Sequence, residues 1–217
     1  VLSVIAMGTL VFGLIEGPSL GWSSPVTLAV FALSAASFVA FVRWENRRVD
    51  PFIDLRFFRS IPFSSATIVA VCAFGGYGAF LFLMSLYLQE VRGFSAIGTG
   101  ASFLPLALAT LICSPLSGRM VARWGARPSM TVAGVVIAVA GLALTRLSAT
   151  TPVSALLVMF AIFGIGFGLV NAPITNAAVG GMPRDRAGAA SAVASTSRQI
   201  GVSIGVALCG SLTTAGA

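Results

Sequence analysis

Long uncharged runs, broken by short polar punctuation, are the dominant pattern of this chain. No Asp, Glu, Lys or Arg falls within 60–89, 93–118, 128–145, 147–183 or 199–217, and near the start 1–15 and 17–42 are equally free of charge. A membrane-spanning helix needs about 20 apolar residues. The pattern therefore predicts seven helices, at about 1–20, 25–43, 62–88, 95–117, 129–147, 153–179 and 188–213. The run GPSLGWSSP, 17–25, has turn composition and separates the first two. Backbone groups in hydrocarbon must pair internally, which helices do by themselves. The alternating ten-residue segments of a membrane β-barrel are not seen. The expected fold is all-α: a polytopic membrane helix bundle.

Composition sharpens this picture. Of 217 residues, 57% are hydrophobic and 9% charged, whereas a soluble domain carries about 25% charged residues. One aqueous core cannot hide so much apolar surface, so the lipid bilayer is read as the solvent. The formal charge of +7 does not indicate nucleic acid, because the cations sit in short clusters between apolar runs and form no continuous basic face. All thirteen are Arg. Ten of them fall in three alternate connections: Arg43, Arg47, Arg48, Arg56 and Arg59, then Arg119, Arg123 and Arg127, then Arg184 and Arg186. Arg92 and Arg146 mark the opposite side. Positive residues near helix ends favour the cytoplasm, which places the ten-Arg side inside. Seven spans starting at Val1 within an apolar run lead to the expectation of a piece of a longer protein.

Chemistry-bearing residues are few. There is no His, no helix-borne acid–base pair and no metal-ligand cluster, so an integral-membrane enzyme, a metal site and a cofactor are not expected. Cys72, Cys113 and Cys209 fall within separate predicted helices and read as packing residues. Tyr77, Phe80, Met84 and Tyr87 share one helical stripe. The first three are candidate contacts for a large amphipathic ligand, with packing as the competing role; packing is preferred for Tyr87. Gly164, Gly166 and Gly168 allow close helix approach, and Pro173 frees a backbone carbonyl. Asn171 and Asn176 are costly in lipid unless paired, and are assigned to interhelix hydrogen bonds ahead of ligand contact. Arg198, with Gln199 beside it, lies about 15 Å into the last helix. An ionised group at that depth is a functional candidate; the alternative is an Arg snorkelling to the headgroups. Ser197, Gly201, Gly205 and Cys209 form a small-residue seam next to it.

The stretch SGRMVARWGARPS, 117–129, has three cations and no acid. Its spacing G-x-x-x-x-R-x-G-x-R is realised by Gly118, Arg123, Gly125 and Arg127. Gly118 is expected to end the fourth helix, and Gly125 to permit a tight turn. The arginines can reach helix-end carbonyls, partner carboxylates or lipid headgroups. The spacing resembles the loop signature of the major facilitator superfamily, in its second-half copy. Ala122 stands where that signature usually has Asp, which removes the carboxylate of the usual loop interaction.

The resemblance covers nearly the whole chain. IEGPSLGWSSP with FVRWENRRVDPFIDLRFFRS, then SLYLQEVRGFSAIGTGASFLPLALA, then GFGLVNAPITNAAVGGMPRDRAGAASAVASTSRQIGVSIGVALCG are similar to successive segments of the fourteen-helix drug:proton antiporter branch. On that mapping the seven helices correspond to its seventh to thirteenth. The resemblance implies an inserted transmembrane helix pair at 1–43, a cytoplasmic linker at 44–61 and a C-terminal transporter half at 62–217 lacking its last helix. It implies a multi-pass cell-membrane protein that exports drugs or other amphipathic small molecules, coupled to protons, by alternating access. The N-terminal half of the same chain would be the missing partner, carrying the proton site and a carboxylate for Arg198. A gating loop would comprise Gly118, Arg123, Gly125 and Arg127, and Tyr77, Phe80, Met84, Asn171, Asn176, Arg198 and Gln199 would line the substrate cavity. An exporter of one specific metabolite, or a non-transporting membrane scaffold, are the alternative readings.

Overall fold

The computed structural model describes residues 2–45, 47, 60–179 and 187–215, which are helical nearly throughout and include no strand. In chain order the elements are α1 (Leu2–Leu20), α2 (Pro25–Glu45), α3 (Ile61–Leu86), a π-helical turn (Tyr87–Val91), α4 (Ala96–Ser102), α5 (Leu104–Trp124), α6 (Ala126–Leu144), α7 (Val153–Val179) and α8 (Ala187–Ala215). Most of the linker at 44–61, with Arg48, Arg56 and Arg59, lies outside the described residues, as do Arg184 and Arg186.

Sequence chemistry explains the boundaries. Gly21, at φ +85°, turns the chain out of α1. Ser24 then caps α2, its Oγ accepting the Thr27 N–H at 3.2 Å, and Pro25 fills the first helical position, where no N–H is needed. Gly93, at φ +67°, precedes a second cap, in which Ser95 Oγ accepts the Gly98 N–H at 3.1 Å. The span expected at 95–117 is two helices, α4 and α5, broken at Phe103. Pro105 sits in the first turn of α5 and cannot donate backward, so the helix restarts there.

That span also continues well past its expected end. Gly118 does not terminate it: α5 runs on to Trp124, α6 begins at Ala126, and the joint between them is Gly125. A glycine within a helix costs only about 1 kcal/mol, and Arg, Met and Ala around it are good helix formers. The left-handed backbone falls instead on Gly125, at φ +81°, where a Cβ would be strained.

The chain forms two compact units: α1, α2, α8 and α3 as far as Phe82 make the first, and the rest of α3 through α7 the second. In the first, α1 packs on α2 and on α8. Ser34 Oγ donates to the Ala6 carbonyl at 2.8 Å, and Trp22 stacks on Phe31 with centroids 6.4 Å apart. The α3–α8 crossing is built on glycine. A Cβ on Gly205 would run into the Gly75 backbone, and one on Gly78 would stand 2.7 Å from the Val202 carbonyl oxygen. In the second unit α7 is central, packed against α5 and α6. Gly164 and Gly168 meet α5 at Leu106, Thr110 and Cys113, while Gly166 meets α6 at Ala133 and Ile137.

Outward faces are apolar too, as Val132, Val135, Val139 and Leu142 of α6 illustrate. This is the arrangement a hydrocarbon solvent demands. Among the described residues, five spans are long and apolar enough to cross a bilayer: α2, α3 with its π turn, α4 with α5, α6 and α7. In α1 the apolar stretch is the shorter Leu2–Gly17. In α8 the small polar residues and Arg198 dilute the run.

Filling the α3–α8 crossing should therefore be costly. Gly205→Val is expected to destabilise by at least the ~1–3 kcal/mol of core overpacking, because backbone stands where the side chain would go. Gly76→Ala, one residue from Gly75 but facing open space, should be neutral or stabilising by about 0.4–1 kcal/mol. Unfolding of the detergent-purified intact gene product measures both.

Candidate functional site

Two constellations bring together the residues that carry polar chemistry, one in each unit. In the second unit the key atom is a carbonyl oxygen. Pro173 lies inside α7 and has no N–H to give residue 169, four positions earlier. The Leu169 carbonyl is thereby released from the helix ladder. Ser117 of α5 donates its Oγ–H to that oxygen at 2.6 Å, and Ser129 of α6 donates to it at 2.9 Å. The two hydroxyls are 3.0 Å apart and both side chains are fully buried. A carbonyl oxygen has two lone pairs, so one oxygen accepts from two helices at once. Nearby, Thr110 Oγ1 donates to the Gly164 carbonyl at 3.1 Å, a second polar link between α5 and α7.

Among the described residues, neither Asn makes the interhelix bond expected of it. Asn171 Nδ2 donates to the Phe167 carbonyl of its own helix at 2.9 Å, and Asn176 is exposed. Their assigned role falls to Ser117 and Ser129. The signal for those serines was present: each sits near the Gly125 joint, and Pro173 announces which carbonyl needs a donor.

In the first unit Arg198 is half-buried on α8, about 17 Å from the start of that helix. Its guanidinium carbon lies over the Phe74 ring, 5.2 Å from the centroid, within cation–π range. The contact exists because the glycine crossing brings α3 and α8 together just beside it. Gly201 and Gly205 are buried and follow Arg198 on the same stripe. The small-residue seam expected on α8 is thus in use. Gln199, next in sequence, points away and is exposed.

The stripe Tyr77, Phe80, Met84 does not form one open surface. Phe80 is 5% and Met84 9% exposed, both at core level, while Tyr77 is half-buried. Tyr87 has a defined packing role. Its hydroxyl donates to the Ser148 carbonyl at 2.6 Å and accepts from Arg92 Nη1 at 3.2 Å. Arg92 Nη1 also donates to the Thr151 carbonyl at 2.6 Å. The π turn after α3 is so clasped to the α6–α7 connection, and Arg92 acts there as a tether. Of the loop-signature residues, Arg123, Gly125 and Arg127 are exposed around the joint and Gly118 lies within α5. Among the described residues, no cluster of His, Cys, Asp or Glu could hold a metal ion.

Apolar helices of spanning length and glycine-tight crossings define a multi-pass membrane protein. The sequence agrees: residues 1–206 match the family model of the Major Facilitator Superfamily, and the chain belongs to that family. Relatives include the multidrug resistance protein Stp of Mycobacterium tuberculosis, 38% identical across 97% of this chain. The tetracenomycin C resistance and export protein of Streptomyces glaucescens is 31% identical across 95%. The multidrug efflux pump LfrA of Mycolicibacterium smegmatis is 29% identical across 88%. The chain spans 39%, 38% and 38% of the length of these three proteins.

The serine–carbonyl hub makes a specific prediction. Ser117→Ala or Ser129→Ala alone should cost about 0.6–1.7 kcal/mol, because the other hydroxyl still serves Leu169. The double variant strips the carbonyl and should cost about 2–3 kcal/mol. Pro173→Ala restores the missing N–H, so in that background the double variant should cost less than about 1 kcal/mol. A double-mutant cycle on unfolding in detergent reads this; equal costs with and without Pro173 contradict the hub.

Proposed function

We propose that this chain is part of a secondary transporter of the cell membrane that exports drugs or other amphipathic small molecules, coupled to protons, by alternating access. Helices α1 and α2 are then an inserted pair, residues 44–61 a cytoplasmic linker, and 62–217 a C-terminal transporter half that works against an N-terminal half of the same protein. The observation that carries this reading is Arg198, half-buried and seated on Phe74 beside the glycine crossing. Charge at that depth is expensive, and a fold retains it where it faces protein or a wet pathway. Arg198 then meets a carboxylate of the other half or an anionic group of the substrate. Tyr77 and Asn176 are the further candidates for the substrate path. Glu16 and Glu90 lie near helix ends, so the proton-carrying carboxylate belongs elsewhere in the full protein.

The names of the relatives support drug export: two of the three proteins above are called multidrug proteins. The tetracenomycin C protein is named for a single compound, which favours a second reading, export of one specific metabolite.

The test is efflux from cells expressing the intact gene product. Loaded cationic dyes and antibiotics should leave faster than from control cells, and a protonophore should stop this. Arg198→Ala should slow efflux at least about tenfold at unchanged membrane abundance, with Arg198→Lys intermediate, since Lys keeps the charge but loses the planar stacking group. Efflux of one compound alone selects the second reading. Loss of no activity in Arg198→Ala removes Arg198 from the pathway.

A further inference from the structure

The continuous α5–Gly125–α6 joint places three arginines where the expected loop would have scattered them. Leu104, Leu108, Ile112 and Leu116 form an exposed aliphatic stripe along α5, spaced to share one face. Arg119 and Arg123 continue that stripe, and both are exposed. Trp124 closes the helix at 65% exposure, and Arg127, also exposed, follows two residues beyond the Gly125 joint. An outward helical face thus changes from large aliphatic side chains to guanidinium groups and an indole within two turns. That is the order of environments met on leaving hydrocarbon for a headgroup layer, where Trp concentrates. No carboxylate lies anywhere in 117–129, so the charge of this knuckle is not balanced within its own segment.

We propose that this knuckle is a binding site for the phosphate headgroup of an anionic phospholipid, with Arg119, Arg123 and Arg127 contacting the phosphodiester and Trp124 resting at the glycerol level. Guanidinium forks match phosphate oxygens geometrically, and basic clusters at helix ends attract anionic lipid. The end of α2 supplies an internal control. It also finishes in an exposed Arg–Trp pair, Arg43 and Trp44, below an exposed stripe that includes Leu28 and Val39. There Arg43 is followed within two residues by Glu45, with Arg47 and Arg48 beyond it, so the interfacial aromatic is kept but the cationic run carries a carboxylate of its own.

The test uses the intact gene product in detergent, titrated with phosphatidylglycerol or with phosphatidylcholine of the same acyl chains and read by native mass spectrometry. Phosphatidylglycerol should bind preferentially. The combined Arg119→Gln, Arg123→Gln, Arg127→Gln variant should weaken that preference at least about tenfold, while the matching Arg→Lys variant keeps most of it and Arg43→Gln leaves it unchanged. Raising salt should displace phosphatidylglycerol but not phosphatidylcholine, and inorganic phosphate at equal ionic strength should compete no better than chloride. The proposal fails if the Gln variant retains the preference. It also fails if Arg43→Gln removes as much of it, or if inorganic phosphate displaces the lipid better than chloride does at equal ionic strength. Equal destabilisation of the Gln variant in detergent without added lipid would assign the arginines to carboxylates of the protein itself and overturn it too.

Discussion

A backbone carbonyl without a donor in hydrocarbon costs several kcal/mol, and Pro173 creates one in the middle of the most buried helix. The second unit is arranged around the answer to that deficit. Ser117 and Ser129 reach the Leu169 oxygen from two different helices, so a single atom fixes the mutual position of α5, α6 and α7. Neither serine could do so if the helices stood farther apart. Gly164, Gly166 and Gly168 set the distance, because each removes a Cβ that would otherwise meet a neighbour's backbone or side chain. Polar bond and small-residue packing are here one device. The glycines bring the donors within 3 Å, and the bonds give direction to a contact that packing alone leaves free to slide.

The first unit uses the same small-residue packing for a different end. In lipid there is no hydrophobic gain from pressing two apolar helices together, so close van der Waals contact and hydrogen bonds must hold them. The Gly75–Gly205 crossing provides that contact, and it also narrows the space beside Arg198. A guanidinium that lies over the Phe74 ring exchanges part of its hydration for the ring face. This explains why α8 tolerates an Arg so far from its end, and why it needs less apolar surface than α7. Two of its faces are turned to α1 and α3, and only the remainder need satisfy lipid.

Much of this was legible in the residues. Apart from the far end of α5, charge-free runs located the helices to within a few positions, and α7 at 153–179 to the residue. The glycines of α3, α7 and α8 declared close packing, and Pro173 declared a freed carbonyl. The break at Phe103 was hidden because Pro105 follows it inside an otherwise continuous apolar run. The persistence of α5 beyond Gly118 was hidden because two glycines competed for one turn, and only the backbone distinguishes the one that needs positive φ. Asn171 misled for a similar reason. Its amide satisfies itself on its own helix, a local solution that spacing does not reveal, while the less conspicuous serines make the bridge.

The run of α5 on to Trp124 has a mechanical consequence. Ser117 lies two turns before the end of α5, and Ser129 one turn into α6, so both arms of the Gly125 joint are anchored to the same carbonyl, about 12 and 6 Å along the helices from the joint. A flexible loop would let the arginines drift independently of α7. A one-residue joint held by both serines does not, since two short helical segments with fixed ends cannot reorient without stretching a buried hydrogen bond.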